Sequence, residues 1–169
     1  MGNKIQIGIL GDGGWGTTLA ILLAKGGHQV SLWGAFEKYT LQMSRSRRNP
    51  KFLPGIKIPA EINITSNIKS VIRNKNVVVL AIPSQYTRTI LKKIKNDFSQ
   101  NTIFLSVTKG IEIGSSKRMS EVILSELGPV KLAVLSGPTI AREVAQGIPT
   151  TAVVAAKSNA IRKTIQAIF

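Results

Sequence analysis

Apolar runs of strand length alternate with helical patterns along almost the whole chain. Residues 5–10 form a strand-like run, and residues 15–25 carry a helical pattern closed by Gly26-Gly27. Residues 29–33 predict the next strand, with a short polar helix at 37–44. Residues 45–60 read as irregular, broken by Pro50, Pro54, Gly55 and Pro59. A helical segment at 68–73 precedes a strand at 77–82, a helix at 84–95 and a strand at 102–107. A glycine-containing loop then leads to a helix at 116–127. A strand at 132–135, a short helix at 140–146, a strand at 151–155 and a helix at 159–168 complete the pattern. Strands apolar on both faces, alternating with helices, predict an α/β fold: a doubly wound, mostly parallel sheet with helices on both faces. Right-handed crossovers then place the C-terminal end of every strand along one edge, where ligands bind. No repeat, low-complexity tract or linker interrupts residues 1–169, so one domain is expected. Its last helix should feed a further strand, so either the fold closes here or, the favoured expectation, the chain is part of something longer.

Composition narrows the class. At 169 residues and 43% hydrophobic, the chain can bury close to ~70% of its unfolded surface in one core. It has no cysteine, which removes disulfides and thiolate chemistry. The N-terminal residues lack the charged-then-apolar plan of a signal peptide, and no apolar stretch approaches the ~20 residues of a membrane span. A soluble, cytoplasmic protein is expected. The formal charge of +15 raises nucleic acid or an acidic membrane as partners. The bases are scattered, however, with Arg45, Arg47, Arg48 and Lys51 in one group and Lys92, Lys93 and Lys95 in another. Phe52 is the one aromatic directly adjoining either group, too few for a base-stacking platform. Solvated basic faces are therefore the expectation, and nucleic acid is not the expected partner. His28 is the single histidine and reads as structural, and without cysteines no metal site is expected.

The candidate chemistry lies first in Gly11-Asp12-Gly13-Gly14-Trp15-Gly16, between the first strand and the first helix. Gly-x-Gly-x-x-Gly in that context is a dinucleotide fingerprint. Gly11 permits the tight turn, Gly13 lacks the Cβ that would keep a pyrophosphate from the backbone, and Gly16 lets the helix pack on the strand. The helix N-terminus offers unpaired N–H groups and a positive dipole end, worth roughly 0.3–1 kcal/mol toward an anion. Further motifs fall at strand exits. Ala81-Ile82-Pro83-Ser84 reads as a strand-to-helix turn with Ser84 near the N-cap. Lys109, in Thr108-Lys109-Gly110, either faces the crevice as a fixed positive charge or lies on the surface. In Ser136-Gly137-Pro138-Thr139, Thr139 can cap the next helix, and the exposed N–H groups make a second anion site. Phe52 either stacks beside a ligand or anchors its loop in the core.

Together these motifs resemble the N-terminal domain of bacterial NAD(P)-dependent glycerol-3-phosphate dehydrogenase, a Rossmann-type domain. Residues 11–20 resemble that family's GxGxWGTALA. Asn49 to Gly55, Ile82-Pro83-Ser84, Thr108-Lys109-Gly110, Ser136 to Glu143 and Gly147-Ile148-Pro149-Thr150 resemble its NxxxLPG, VPS, TKG, SGP[ST]xAxE and GxPT elements. Another hydroxy-acid dehydrogenase would share the fingerprint but not this set. The resemblance implies reduction of dihydroxyacetone phosphate to sn-glycerol 3-phosphate with NAD(P)H, feeding glycerophospholipid synthesis. It implies cofactor contacts at Gly11, Gly13, Gly14, Trp15, Gly16, Ala35, Phe52, Lys109 and Ala141. Lys109, Gly137 and Thr139 would meet the substrate, with Lys109 also acting electrostatically in catalysis. It further implies a C-terminal helical domain, absent from this chain, that carries the proton-transfer lysine, and a homodimer for the full-length enzyme. The chain alone should bind cofactor with little or no turnover. Cofactor choice is open from the residues: no carboxylate or arginine follows the second strand directly, and Lys38 or Arg48 could substitute for a basic group. Family grounds favour NADP, with dual use possible.

Overall fold

Val77, Val78, Val79 and Leu80 are all buried, which a strand achieves only when both its faces are covered. A computed structural model, describing residues 4–169, shows how this happens. In chain order the elements are β1 (Gln6–Leu10), α1 (Gly14–Lys25), β2 (Gln29–Trp33), α2 (Glu37–Ser46), β3 (Arg48–Asn49), β4 (Leu53–Lys57) and β5 (Asn63–Thr65). There follow α3 (Ile68–Ile72), β6 (Val77–Leu80), α4 (Ser84–Ile94), β7 (Ile103–Ser106) and α5 (Met119–Leu127). The last are β8 (Lys131–Ser136), α6 (Ala141–Ala145), β9 (Val153–Ala156) and α7 (Asn159–Ile168). One sheet runs in the order β5-β2-β1-β6-β7-β8-β9, and β3 and β4 form a separate hairpin.

Alternate strand residues feed opposite cores, as a period of two requires. Ile7, Ile9, Val77 and Val79 join Leu19 and Leu23 of α1 and Ile165 of α7 on one side. Leu10, Val78, Leu80 and Phe104 join Ile90, Leu91 and Ile94 of α4 and Val122 and Ile123 of α5 on the other. The chain winds outward from β1 in one direction to β2 and β5, then returns to place β6 on the other side of β1. The carboxyl ends of β1 and β6 therefore flank a crevice that no connection covers.

The expectation of a doubly wound, mostly parallel sheet with helices on both faces holds, with corrections. Residues 45–60 are not irregular: β3 pairs antiparallel with β4, and the hairpin is anchored by buried Leu53 and Ile58. Arg47 enters it in left-handed conformation and donates from Nη1 to Ile62 O at 2.8 Å. β5, which the pattern does not predict, adds to the sheet edge parallel to β2; three residues with one buried apolar side chain carry no readable period. Helix α5 begins at Met119 rather than 116, because Ser116 is left-handed and Ile111 bridges to Arg118. Finally, β9 runs antiparallel to β8, so not every strand ends on the cleft edge. The reason is α6, which does not cross back along the sheet. It stays at the cleft edge on α1, with Thr18 Oγ1 donating to Ala141 O at 3.0 Å, and the chain enters β9 from that edge.

Candidate functional site

The turn between β1 and α1 is set by backbone contacts. Gly11 has φ 115°, and its N–H donates to Trp33 O at 3.0 Å, tying the turn to the end of β2. A Cβ at Gly16 would lie 1.9 Å from Gly11 O, so helix and strand approach as closely as only glycine allows. Gly13 differs: a Cβ there would meet nothing within 4 Å. It is the N-cap of α1, and no acidic side chain sits in the first helical turn to offset the positive end.

The β3–β4 hairpin closes over this turn through Asn49, which is 1% exposed. Its Nδ2 donates to Asp12 O at 2.7 Å and to Thr17 Oγ1 at 2.8 Å. Its Oδ1 accepts from Tyr39 Oη at 2.6 Å and from Phe52 N at 3.2 Å. Every polar atom of the amide group is thus engaged, an outcome buried amides require. Phe52 does not anchor the hairpin, since Leu53 takes that role. Phe52 is 45% exposed, lies edge-on to Tyr39 at 6.1 Å, and carries Lys51 Nζ 5.0 Å from its ring centroid.

At the other end of the cleft stands the loop after β7. Thr108 Oγ1 lies 3.0 Å from Leu80 O and 2.9 Å from Ile82 O, its one proton shared between the two carbonyls, pinning the loop to the exit of β6. Lys109 extends from there and donates from Nζ to Thr139 O at 3.4 Å, so it faces the cleft. Behind it, the Gln85 side chain bonds Ile111 O and Ile113 N, each at 2.9 Å. Arg88 grips Glu112 at 2.7 and 2.8 Å and also pairs with Glu126. The guanidinium, with help from Ser115, holds the Glu112 carboxyl down at about 2.

These parts enclose a cleft of about 680 Å³, within the ~300–1,000 Å³ usual for ligand sites. Of the residues expected to contact cofactor or substrate, Gly16 and Gly137 alone do not line it. Gly16 lies inside the turn, and Gly137 rests against the chain entering β9, where a Cβ would come 2.6 Å from Thr151 O. Gly11, Gly13, Gly14 and Trp15 form one wall, Ala35 and Phe52 the far end, and Lys109, Thr139 and Ala141 the near one. One capping expectation fails and one holds. Thr139 does not cap α6, whose N-cap is Ile140; its Oγ1 lies 3.5 Å from Gly137 O instead. Pro83 is the N-cap of α4 and Ser84 its first helical residue, so Ser84 stands next to the cap as expected. His28 lies in the turn before β2, at the edge opposite the cleft.

Sequence reasoning did not single out Asn49, Thr108, Arg88 or Asp12 as site residues. The Asn49-Pro50 pair is a turn signal that could have drawn attention to the first. Asp12 is 9% exposed, and burial pushes its carboxyl pKa up, against the opposing pull of its backbone hydrogen bond and of Lys51. Do the residues fit a dinucleotide? The open face at Gly13, the free N–H groups of α1 and the apolar walls suit a pyrophosphate flanked by two flat ring systems.

Residues 6–162 match the family described as "NAD-dependent glycerol-3-phosphate dehydrogenase N-terminus". The chain belongs to that family. It is 40% identical over 168 residues to a glycerol-3-phosphate dehydrogenase [NAD(P)+] of Fusobacterium nucleatum, covering 98% of this chain and 50% of the relative. A relative of the same description from Pelodictyon phaeoclathratiforme is 41% identical over 169 residues, with 98% and 50% covered. Among solved structures, a glycerol-3-phosphate dehydrogenase from Coxiella burnetii superposes with a TM-score of 0.92 at 31% identity, over 98% of this chain and 50% of that one. The chain thus spans about half the length of the family members it matches. No helix among the described residues is long and apolar enough to cross a membrane.

Proposed function

We propose that this chain is the coenzyme-binding half of a cytoplasmic NAD(P)-dependent glycerol-3-phosphate dehydrogenase. The observation that carries the reading is the open Gly13 face of α1, directed into the cleft of a chain in this family. Gly11, Gly13, Gly14 and Trp15 would hold the pyrophosphate by backbone at the N-terminal end of α1. Ala35 and Phe52 would meet the ribose and adenine end, and Ala141 would close the site from α6. When bound, the reduced nicotinamide supplies a hydride to a carbonyl carbon.

The residues of this chain act around that event. Lys109 holds positive charge where the carbonyl oxygen of dihydroxyacetone phosphate would gain electron density. Its bond to Thr139 O keeps the ammonium at the cleft side of the loop. Thr139 and Gly137 would position the substrate from the turn after β8. The proton-transfer lysine and most groups for the substrate phosphate would come from the helical half of the family's enzymes, and dimerisation would belong to the whole enzyme. The chain alone is expected to bind coenzyme with little or no turnover, and the product sn-glycerol 3-phosphate would feed glycerophospholipid synthesis.

Calorimetric titration of the chain with NADH and with NADPH tests this reading. Saturable one-site binding, abolished by Gly13→Trp with the melting curve unchanged, supports it. No binding by the wild-type chain, or unchanged binding by the variant, overturns it.

A further inference from the structure

Dinucleotide folds commonly place a carboxylate just after the second strand, where it accepts from the ribose 2′-hydroxyl. Here Gly34, Ala35 and Phe36 stand after β2, and none can do so. A carboxylate nevertheless occupies the place. Asp12 reaches across from the glycine turn, and a Cβ built on Gly34 would lie 2.3 Å from its Oδ2 and 2.7 Å from its Cγ. The bare Cα of Gly34 is what makes room for it. The bond from Gly11 N to Trp33 O, 3.0 Å long, fixes the approach of turn to strand.

The carboxylate is enclosed and incompletely satisfied. Asp12 is 9% exposed, and its Oδ2 has no hydrogen-bond partner among the described residues. Thr40 Oγ1, close to the same point, donates to Phe36 O at 2.9 Å. A buried acceptor lacking a donor therefore sits beside Ala35 and Phe36, which line the cleft. The cationic groups weighed for a 2′-phosphate do not compensate. Lys38 and Arg48, the two in question, do not line the cleft.

Resting on the reading of this cleft as a dinucleotide site, we propose that Asp12 determines coenzyme specificity, selecting NAD(H) over NADP(H). A hydroxyl arriving at the end of β2 brings the donor that the carboxylate lacks. A phosphate there brings acceptors and charge of the same sign, in a setting where like charges interact strongly. The selecting acid thus comes from within the glycine turn, and the preference is opposite to the NADP expectation drawn from the resemblance.

The test is calorimetry on the 169-residue chain with NADH and NADPH, in wild type, Asp12→Asn and Asp12→Ser, with melting curves as the folding control. The wild type is expected to bind NADH tighter than NADPH by about tenfold or more. Both variants should narrow that ratio by about fivefold or more, chiefly by gaining NADPH affinity. AMP and adenosine 2′,5′-bisphosphate as competitors should show the same pattern without the nicotinamide. The proposal is overturned if the wild type binds NADPH as tightly as NADH, or if the ratio is unchanged in whichever variant folds. Binding of neither coenzyme by the wild type overturns the dinucleotide reading and the role of Asp12 with it.

Discussion

The two ends of the cleft are held by different forces. At the glycine turn, backbone meets backbone and a buried amide closes the joint: Gly16 on Gly11, Gly11 on Trp33, and Asn49 on Asp12 and Thr17. At the Lys109 end, a loop is held from outside by side chains, with Gln85 on Ile111 and Ile113 and Arg88 on Glu112 and Glu126. The first construction leaves no freedom, because carbonyls cannot yield the way side chains can. The second can loosen without unfolding the sheet. A cleft proposed to hold one ligand in fixed register and admit another would be served by having one of each.

The largest test of this contrast is Gly16→Val. Its Cβ would fall 1.9 Å from a backbone oxygen, so a loss of about 3 kcal/mol or more is expected, read as early or non-cooperative urea unfolding. Gly13→Ala, three residues away and facing open space, should cost less than about 1 kcal/mol. Asn49→Ala comes next. It strips the donor from Asp12 O and the acceptor from Tyr39, and should destabilise the chain by about 2–3 kcal/mol in the same assay.

Acid should separate the two ends. Glu112 titrates at about 2 in the fold against an ordinary 4.5, so its contribution is present above pH 4.5 and is lost as the pH falls toward 2. Asp12 has the opposite sign: its raised pKa means that the fold gains on protonation and loses as the pH rises from 3.8 through the folded value. Amide exchange on acidification should therefore rise first around residues 109–113 and stay low in the glycine turn. Equal loss of protection at both ends would contradict the comparison. Arg88→Ala should abolish the acid sensitivity of the loop, and Asp12→Asn should raise the melting temperature at neutral pH. The smallest expected effect is that of Lys109→Met. An exposed cation with one long bond should leave stability within about 0.5 kcal/mol, measured by thermal melting.

What could be read in advance divides along the same line. The glycine turn was legible because its causes are local: a strand, three spaced glycines and a helix, all within residues 5–25. The buried strands were legible because Val77 to Leu80 leave no polar face. The direction of β9 was not, since it depends on where α6 comes to rest, and that is decided by Thr18, 123 residues from its partner Ala141. Asn49 and Asp12 were passed over as site residues for a similar reason. A single polar residue in a loop has no period, and the atoms that define its task belong to Tyr39, Thr17 and Gly34, which meet it only in the folded chain. Phe52 was read as a choice between core and cleft, and its neighbour Leu53 resolved the choice by taking the core.

The bond between Thr18 and Ala141 also sets an order of events during synthesis. A ribosome adding roughly 5–20 residues per second needs roughly 6–25 s to travel the 123 positions between them. Over that interval the first helix of the nascent protein exists without the element that seats against it. The cleft therefore cannot be completed as its first wall emerges, and a nucleotide cannot template the early stages of folding. A ligand held there would be captured only after most of the sheet has already been laid down.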